Sequence, residues 1–141
     1  MSLEYRILAD RHLVVARGEG IVTGTDVLNH LREIVRDAAY IAPMKKLVDY
    51  TRVSSLEISQ SEAHQIAELK RQYAEVLRGE RCAFIAPEDA TYGTSRVHQA
   101  LIDGAGLDTG VFRTSEEATR WLDIAPDPAL LGEPITDSRA P

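Results

Sequence analysis

The opening residues hold the feature that most constrains this fold. Glu4-Tyr5-Arg6-Ile7-Leu8 and His12-Leu13-Val14-Val15-Ala16-Arg17 both have strand character, and only Ala9-Asp10-Arg11 separates them. So short a link can reverse the chain into an antiparallel hairpin. It cannot carry a parallel crossover, which takes roughly a dozen residues or more. Any sheet built on this start therefore contains one antiparallel pair. Gly18-Glu19-Gly20 is read as the end of the second strand.

Beyond the hairpin the apolar period alternates. Thr23-Gly24-Thr25-Asp26 has capping-box spacing, and behind it Val27, Leu28, Leu31, Ile34 and Val35 share one helical face. This predicts a helix over 24–37, with Pro43 against its continuation. Residues 45–50 read as a strand, followed by a Thr/Ser-rich loop through Ser55. Ser59-Gln60-Ser61-Glu62 is a second capping box. The inner face of its helix is expected to carry Ala63, Ile66, Leu69, Tyr73, Val76 and Leu77, with Gly79 as the stop. Residues 81–86 form the most continuously apolar stretch, as in a strand covered on both faces, and Pro87 ends it. Asp89 is the predicted cap of a helix carrying Tyr92, Val97, Leu101 and Ile102. A last strand over 109–113 and a third box, Thr114-Ser115-Glu116-Glu117, lead into a short helix with Ala118, Trp121 and Leu122.

The order is β-β-α-β-α-β-α-β-α. This predicts an α/β domain over 1–123, its mixed sheet mostly parallel with an antiparallel N-terminal strand and helices packed on it. After Asp123 come prolines at 126, 128, 134 and 141, so 124–141 reads as a Pro-rich tail with Leu130, Leu131 and Ile135 as anchors.

Charge and cysteine usage narrow the partners. A net charge of −6 with scattered Lys and Arg argues against a nucleic-acid groove. No apolar run approaches the ~18–20 residues of a membrane span, so integral membrane association is not expected. Cys82 is the single cysteine, which rules out an intrachain disulfide and Cys-rich zinc sites and fits a reducing, cytoplasmic location. No cofactor or metal is predicted.

Several of these segments resemble a family. Glu4-Tyr5-Arg6-Ile7, then Leu13-Val14-Val15 with Gly20 and Thr23, is similar to the opening of small bacterial SpoIIAA-like proteins, which belong with the STAS and CRAL-TRIO folds. Leu47-Val48-Asp49-Tyr50 with Val53 and Leu56 resembles their third strand and its exit. Cys82-Ala83-Phe84-Ile85-Ala86-Pro87, then Tyr92-Gly93 and Arg96, resembles their fourth strand and next helix. Val111-Phe112-Arg113 before Glu116-Glu117-Ala118 and Trp121-Leu122 resembles their ending. The resemblance spans residues 4–122 and implies a STAS-like fold. STAS switch proteins carry an Asp-Ser-Ser-Gly-like turn whose serine is phosphorylated. Here Glu57-Ile58 stands at that Asp-Ser pair, and Ser59, one place on, is a phosphorylation candidate better explained as a helix cap.

Ligands of open α/β sheets sit beyond the carboxyl ends of the strands. That rule nominates Asp49, Tyr50, Arg52, Ser54, Ser55, Asp89, Tyr92 and Arg96 as a rim able to orient a small amphipathic or anionic molecule. His12, His30, His64 and His98 fall on a hairpin and three separate helices and are expected at the surface or rim. Cys82 is expected in the core, and so is Trp121. The resulting expectation is a non-catalytic, STAS-like interaction module acting on a protein partner or as a homodimer. The alternatives are a carrier or sensor of a small apolar or amphipathic ligand at the strand ends, and an enzyme using Asp49, His98 or Tyr92.

Overall fold

The computed structural model describes residues 2–125, 127 and 130. β1 (Leu3–Leu8) turns through a short 3-10 segment, Ala9–Arg11, into β2 (Leu13–Thr23), and His12 closes the turn in the left-handed region at φ 50°. α1 (Gly24–Arg36) leads to β3 (Lys45–Glu57), α2 (Gln60–Gln72) to β4 (Arg81–Ile85), α3 (Asp89–Ile102) to β5 (Asp108–Phe112), and α4 (Ser115–Leu122) follows. The sheet order is β1-β2-β3-β4-β5, with β1 antiparallel to β2 and every later pair parallel. The predicted architecture and element order are those observed.

Because the strands run in sequential order, successive right-handed crossovers place α1, α2 and α3 on the same face. Strand alternation divides the core accordingly. Val48, Tyr50, Cys82 and Phe84 point toward that three-helix face. Leu47, Ala83 and Ile85 point the other way, where α4 covers them with Ala118 and Leu122. Leu13 and Val15 lie on the α4 side too, against Leu130.

Five boundaries and faces differ from the sequence reading. β2 does not stop at Gly18-Glu19-Gly20, and the stretch through Ser55 is strand rather than loop: both strands continue and pair with each other as far as Thr23↔Glu57. The pairing is irregular between Arg17 and Glu19 and between Gly20 and Ile21, and Gly20 takes φ 65° there. Gly18 is required by crowding, since a Cβ would stand 2.7 Å from Val53 Cγ2. Asp89 is not the cap of α3; Glu88 holds that position without a side-chain bond. On α3 the buried stripe is Thr91, Ser95 and Ile102, leaving Val97 51% exposed. On α2 the buried stripe is Ile66, Ala67 and Lys70.

The capping boxes at Thr23–Asp26 and Ser59–Glu62 are both formed, and the Thr114 hydroxyl accepts from the Glu117 backbone N–H. Most of the expected tail, including Leu131 and Ile135, lies outside the described residues. Leu130 is buried, and Asp127 stands 3.7 Å from Arg11. No described helix is long and apolar enough to cross a membrane.

Candidate functional site

The nominated rim residues do not gather at one place. Asp49 and Tyr50 are consecutive on β3 and so face opposite sides of the sheet. Asp49 is 2% exposed, lies 3.6 Å from its register partner Arg17, and accepts the Thr51 N–H at 2.9 Å. Tyr50 is buried on the three-helix face, its ring centroid 5.7 Å from that of Phe84. Arg52 pairs with Glu19 across the extended strands at 3.5 Å, Ser55 Oγ donates to Glu57 at 3.3 Å, and Ser54 is exposed. Asp89, Tyr92 and Arg96 do come together, around Arg113. That guanidinium bonds Asp89 at 2.6 Å and lies 4.1 Å from the Tyr92 ring centroid, and Arg96 donates to the Tyr92 hydroxyl at 3.4 Å. Asp89, Arg96 and Arg113 are exposed and Tyr92 is half-buried, so the cluster sets one carboxylate against two guanidinium groups.

Ser59 serves as the α2 cap: its hydroxyl accepts the Glu62 N–H at 3.1 Å while Glu62 accepts the Ser59 N–H at 2.9 Å. Ser59→Ala should therefore cost ~1 kcal/mol in chemical denaturation, with the fold retained.

A different constellation lies between the sheet and its three helices. His30 on α1 and Lys46 on β3 meet with Nζ 2.8 Å from Nε2. Lys70 on α2 and His98 on α3 repeat the arrangement at 2.9 Å. All four line one chamber of about 50 Å3 between the sheet and the helices. His30, Lys46 and Lys70 are buried, and the sequence-based placement of His30 and His98 at the surface or rim is corrected here. The ring of Tyr5 meets His30 edge-on, and that of Phe84 meets His98. Among the described residues Glu80 is the buried carboxylate that acts on Lys46, and it accepts the Tyr40 hydroxyl at 2.7 Å.

Burial, with Lys46 and Lys70 nearby, pushes both imidazoles well below the usual histidine range, and Arg71 adds to this at His98. Each neutral ring accepts from a lysine at Nε2, so its proton sits on Nδ1. Burial also lowers Lys46, against the opposing pull of Glu80. Among the described residues, two polar atoms in the lining have no hydrogen-bond partner: His30 Nδ1 and Ser95 Oγ, both fully buried. Such atoms are costly unless something meets them. Cys82 is 1% exposed, and burial raises its thiol to about 11, which makes it an inert core residue at neutral pH.

A pH dependence follows. A base whose folded-state pKa is depressed lends full stability above its unfolded value, near ~6.5 for histidine, and loses it as pH falls below. Unfolding in urea should thus weaken below pH ~6.5, approaching ~1.4 kcal/mol per pH unit for each imidazole. The double variant Lys70→Met/His98→Leu should show about half that slope.

Comparison with known proteins matches this geometry to a fold. No family model matches the chain, and no curated protein sequence matches it significantly. Two solved structures are similar in shape. An uncharacterized protein of the DUF3478 family with a SpoIIAA-like fold, from Shewanella loihica PV-4, is 18% identical with a TM-score of 0.56, covering 86% of this chain and 94% of that one. The anti-sigma factor antagonist SpoIIAA in its unphosphorylated form is 15% identical with a TM-score of 0.52, covering 86% of this chain and 97% of that one. The chain has the SpoIIAA-like fold.

Sequence reasoning missed the chamber because its residues are polar types read as surface. A signal was present. Period two along β3 puts Lys46 on the face of Val48 and Tyr50, and the α2 stripe of Ala63, Ile66 and Ala67 continues to Lys70.

Proposed function

We propose that this chain works by binding: a STAS-type regulatory module in which a small molecule, taken up between the sheet and its three helices, is read out by a protein partner. The observation that carries the reading is the convergence of His30, Lys46, Lys70 and His98 on one chamber that also holds two unsatisfied polar atoms. Four polar groups held inside a domain of this size cost folding free energy, and such costs concentrate at sites that do something. The regulatory half of the reading draws on the fold shared with an anti-sigma factor antagonist, an argument by analogy.

The volume sets a limit on the ligand. Sites for drug-sized or lipid-sized molecules run to ~300 Å3 or more, against about 50 Å3 here. A carrier of a long apolar molecule would need its helices to move apart, so the reading favours a small occupant. The strand-end cluster of Asp89, Tyr92, Arg96 and Arg113, none of which is in the chamber lining, is the surface we assign to the partner.

Native mass spectrometry on protein purified from its own host tests this reading. The expected result is one small-molecule increment on the chain, lost in Lys70→Met/His98→Leu. A bare mass, together with no thermal stabilisation by any member of a metabolite panel, would contradict it.

A further inference from the structure

Resting on that binding reading, we propose that the chamber takes a short-chain monocarboxylate, with its carboxylate facing Lys46 and Lys70 and its carbon chain against the apolar wall.

Charge selects the valence of the ligand. The chamber faces two lysine amines, and among the described residues Glu80 is the buried carboxylate that acts on one of them, Lys46. Both imidazoles are neutral. Counted as two ammonium groups against one carboxylate, the balance is a single positive charge in a low-dielectric interior, where such a charge is expensive. A monoanion cancels it, whereas a dianion such as hydrogen phosphate would leave a buried negative charge in its place. Asp49 does not enter the count, since it lies on the opposite face of the sheet with Arg17.

Hydrogen bonding selects the head group. A carboxylate offers about four acceptor sites. The lining offers the amines of Lys46 and Lys70 together with two donors that have no other partner among the described residues, His30 Nδ1–H and Ser95 Oγ–H. A neutral amide would leave the excess charge standing and would set its own N–H donors against a lining rich in donors.

Size and wall chemistry select the tail. A water needs ~10–15 Å3 of such a cavity, so this one holds ~4 water-sized groups. That suits acetate or propionate and excludes a medium-chain acid. The remaining lining is apolar, with Val27, Leu31, Leu56, Ile58, Ile66 and Phe84 among its members. Val27, Leu56 and Ile58 are only half-buried, as are Ala63, Thr94 and His98.

The test uses the full chain at neutral pH in chloride buffer, by isothermal titration calorimetry and thermal unfolding. The probes are sodium acetate, propionate and hexanoate, with propionamide and inorganic phosphate. Acetate or propionate should bind and raise the melting temperature, and hexanoate should bind at least ~10-fold more weakly because the chamber cannot hold it. Propionamide and phosphate should have no effect. Lys70→Met should weaken propionate by ~10-fold or more, the loss of one charge-assisted bond, while unfolding cooperatively. His64→Ala, on the exposed side of α2, should bind as the parent does.

Equal binding of propionamide, tighter binding of phosphate, or unchanged affinity in Lys70→Met would overturn the assignment. Silence from all five probes while the host-purified protein carries a small-molecule increment would overturn the carboxylate and leave the binding reading intact.

Discussion

Asp49→Ala should cost ~3–5 kcal/mol of unfolding free energy and lower the melting temperature by about 10 °C or more. The carboxylate and the Arg17 guanidinium are cross-strand neighbours, each side chain 3% exposed. Removing the carboxylate takes the cross-strand partner from a guanidinium that stays in the interior, which is the costly way to break a buried pair. Asp49→Asn separates the contributions: it keeps an acceptor for the Thr51 N–H but loses the charge, and should fall between parent and alanine. The double replacement Arg17→Met/Asp49→Leu should recover most of the loss, because neither charge is then buried. Urea denaturation of the four chains checks this. If the single and double variants proved equally unstable, the pair would not act as a unit. The outcome bears on function because Asp49 heads the residues nominated from the sequence. Its pairing with Arg17, on the sheet face opposite the chamber, argues for a role in the framework.

The second large effect has the opposite sign. Lys70→Met/His98→Leu should raise stability by ~1–3 kcal/mol, since it replaces a buried cation and its neutral hydrogen-bond partner with apolar groups of similar size. Lys70 differs from Arg17 in one decisive respect. Arg17 faces a carboxylate, while Lys70 bonds an imidazole and lies 5.9 Å from the centroid of Phe84. Both chains are compared by urea denaturation above pH 7, where the imidazoles stay neutral in either state. A gain in stability with loss of ligand response is the pattern of a residue kept for binding at the expense of folding. A loss of more than ~1 kcal/mol would instead make Lys70 structural.

How much of this was readable beforehand depends on the kind of residue. The hairpin followed from the three residues between two apolar segments, and the helix starts from capping boxes whose bonds form as expected. These are local signals, set by backbone geometry within a few residues. The extension of β2 and β3 was not legible. Gly18, Gly20 and the Thr/Ser-rich stretch carry turn composition, yet each strand supplies the hydrogen-bond partner that the other needs, and tertiary pairing overrides local preference. The inner stripe of α3 escaped for a related reason: Thr91, Ser95 and His98 follow helical spacing but are not apolar. The chamber brings together residues from positions 30, 46, 70 and 98, and no pair of these is close in sequence. Only the crossovers that stack α1, α2 and α3 on one face make them neighbours.

The central claim is that the chamber, rather than the strand-end rim, is where this chain meets its ligand. Thermal unfolding of three proteins against one panel of small anionic and neutral metabolites tests it most directly: the parent, Lys70→Met/His98→Leu, and Tyr92→Ala/Arg96→Ala at the rim. The account predicts that at least one small anion stabilises the parent and the rim variant alike and leaves the chamber variant unmoved. Stabilisation that survives in the chamber variant and disappears with the rim would contradict it.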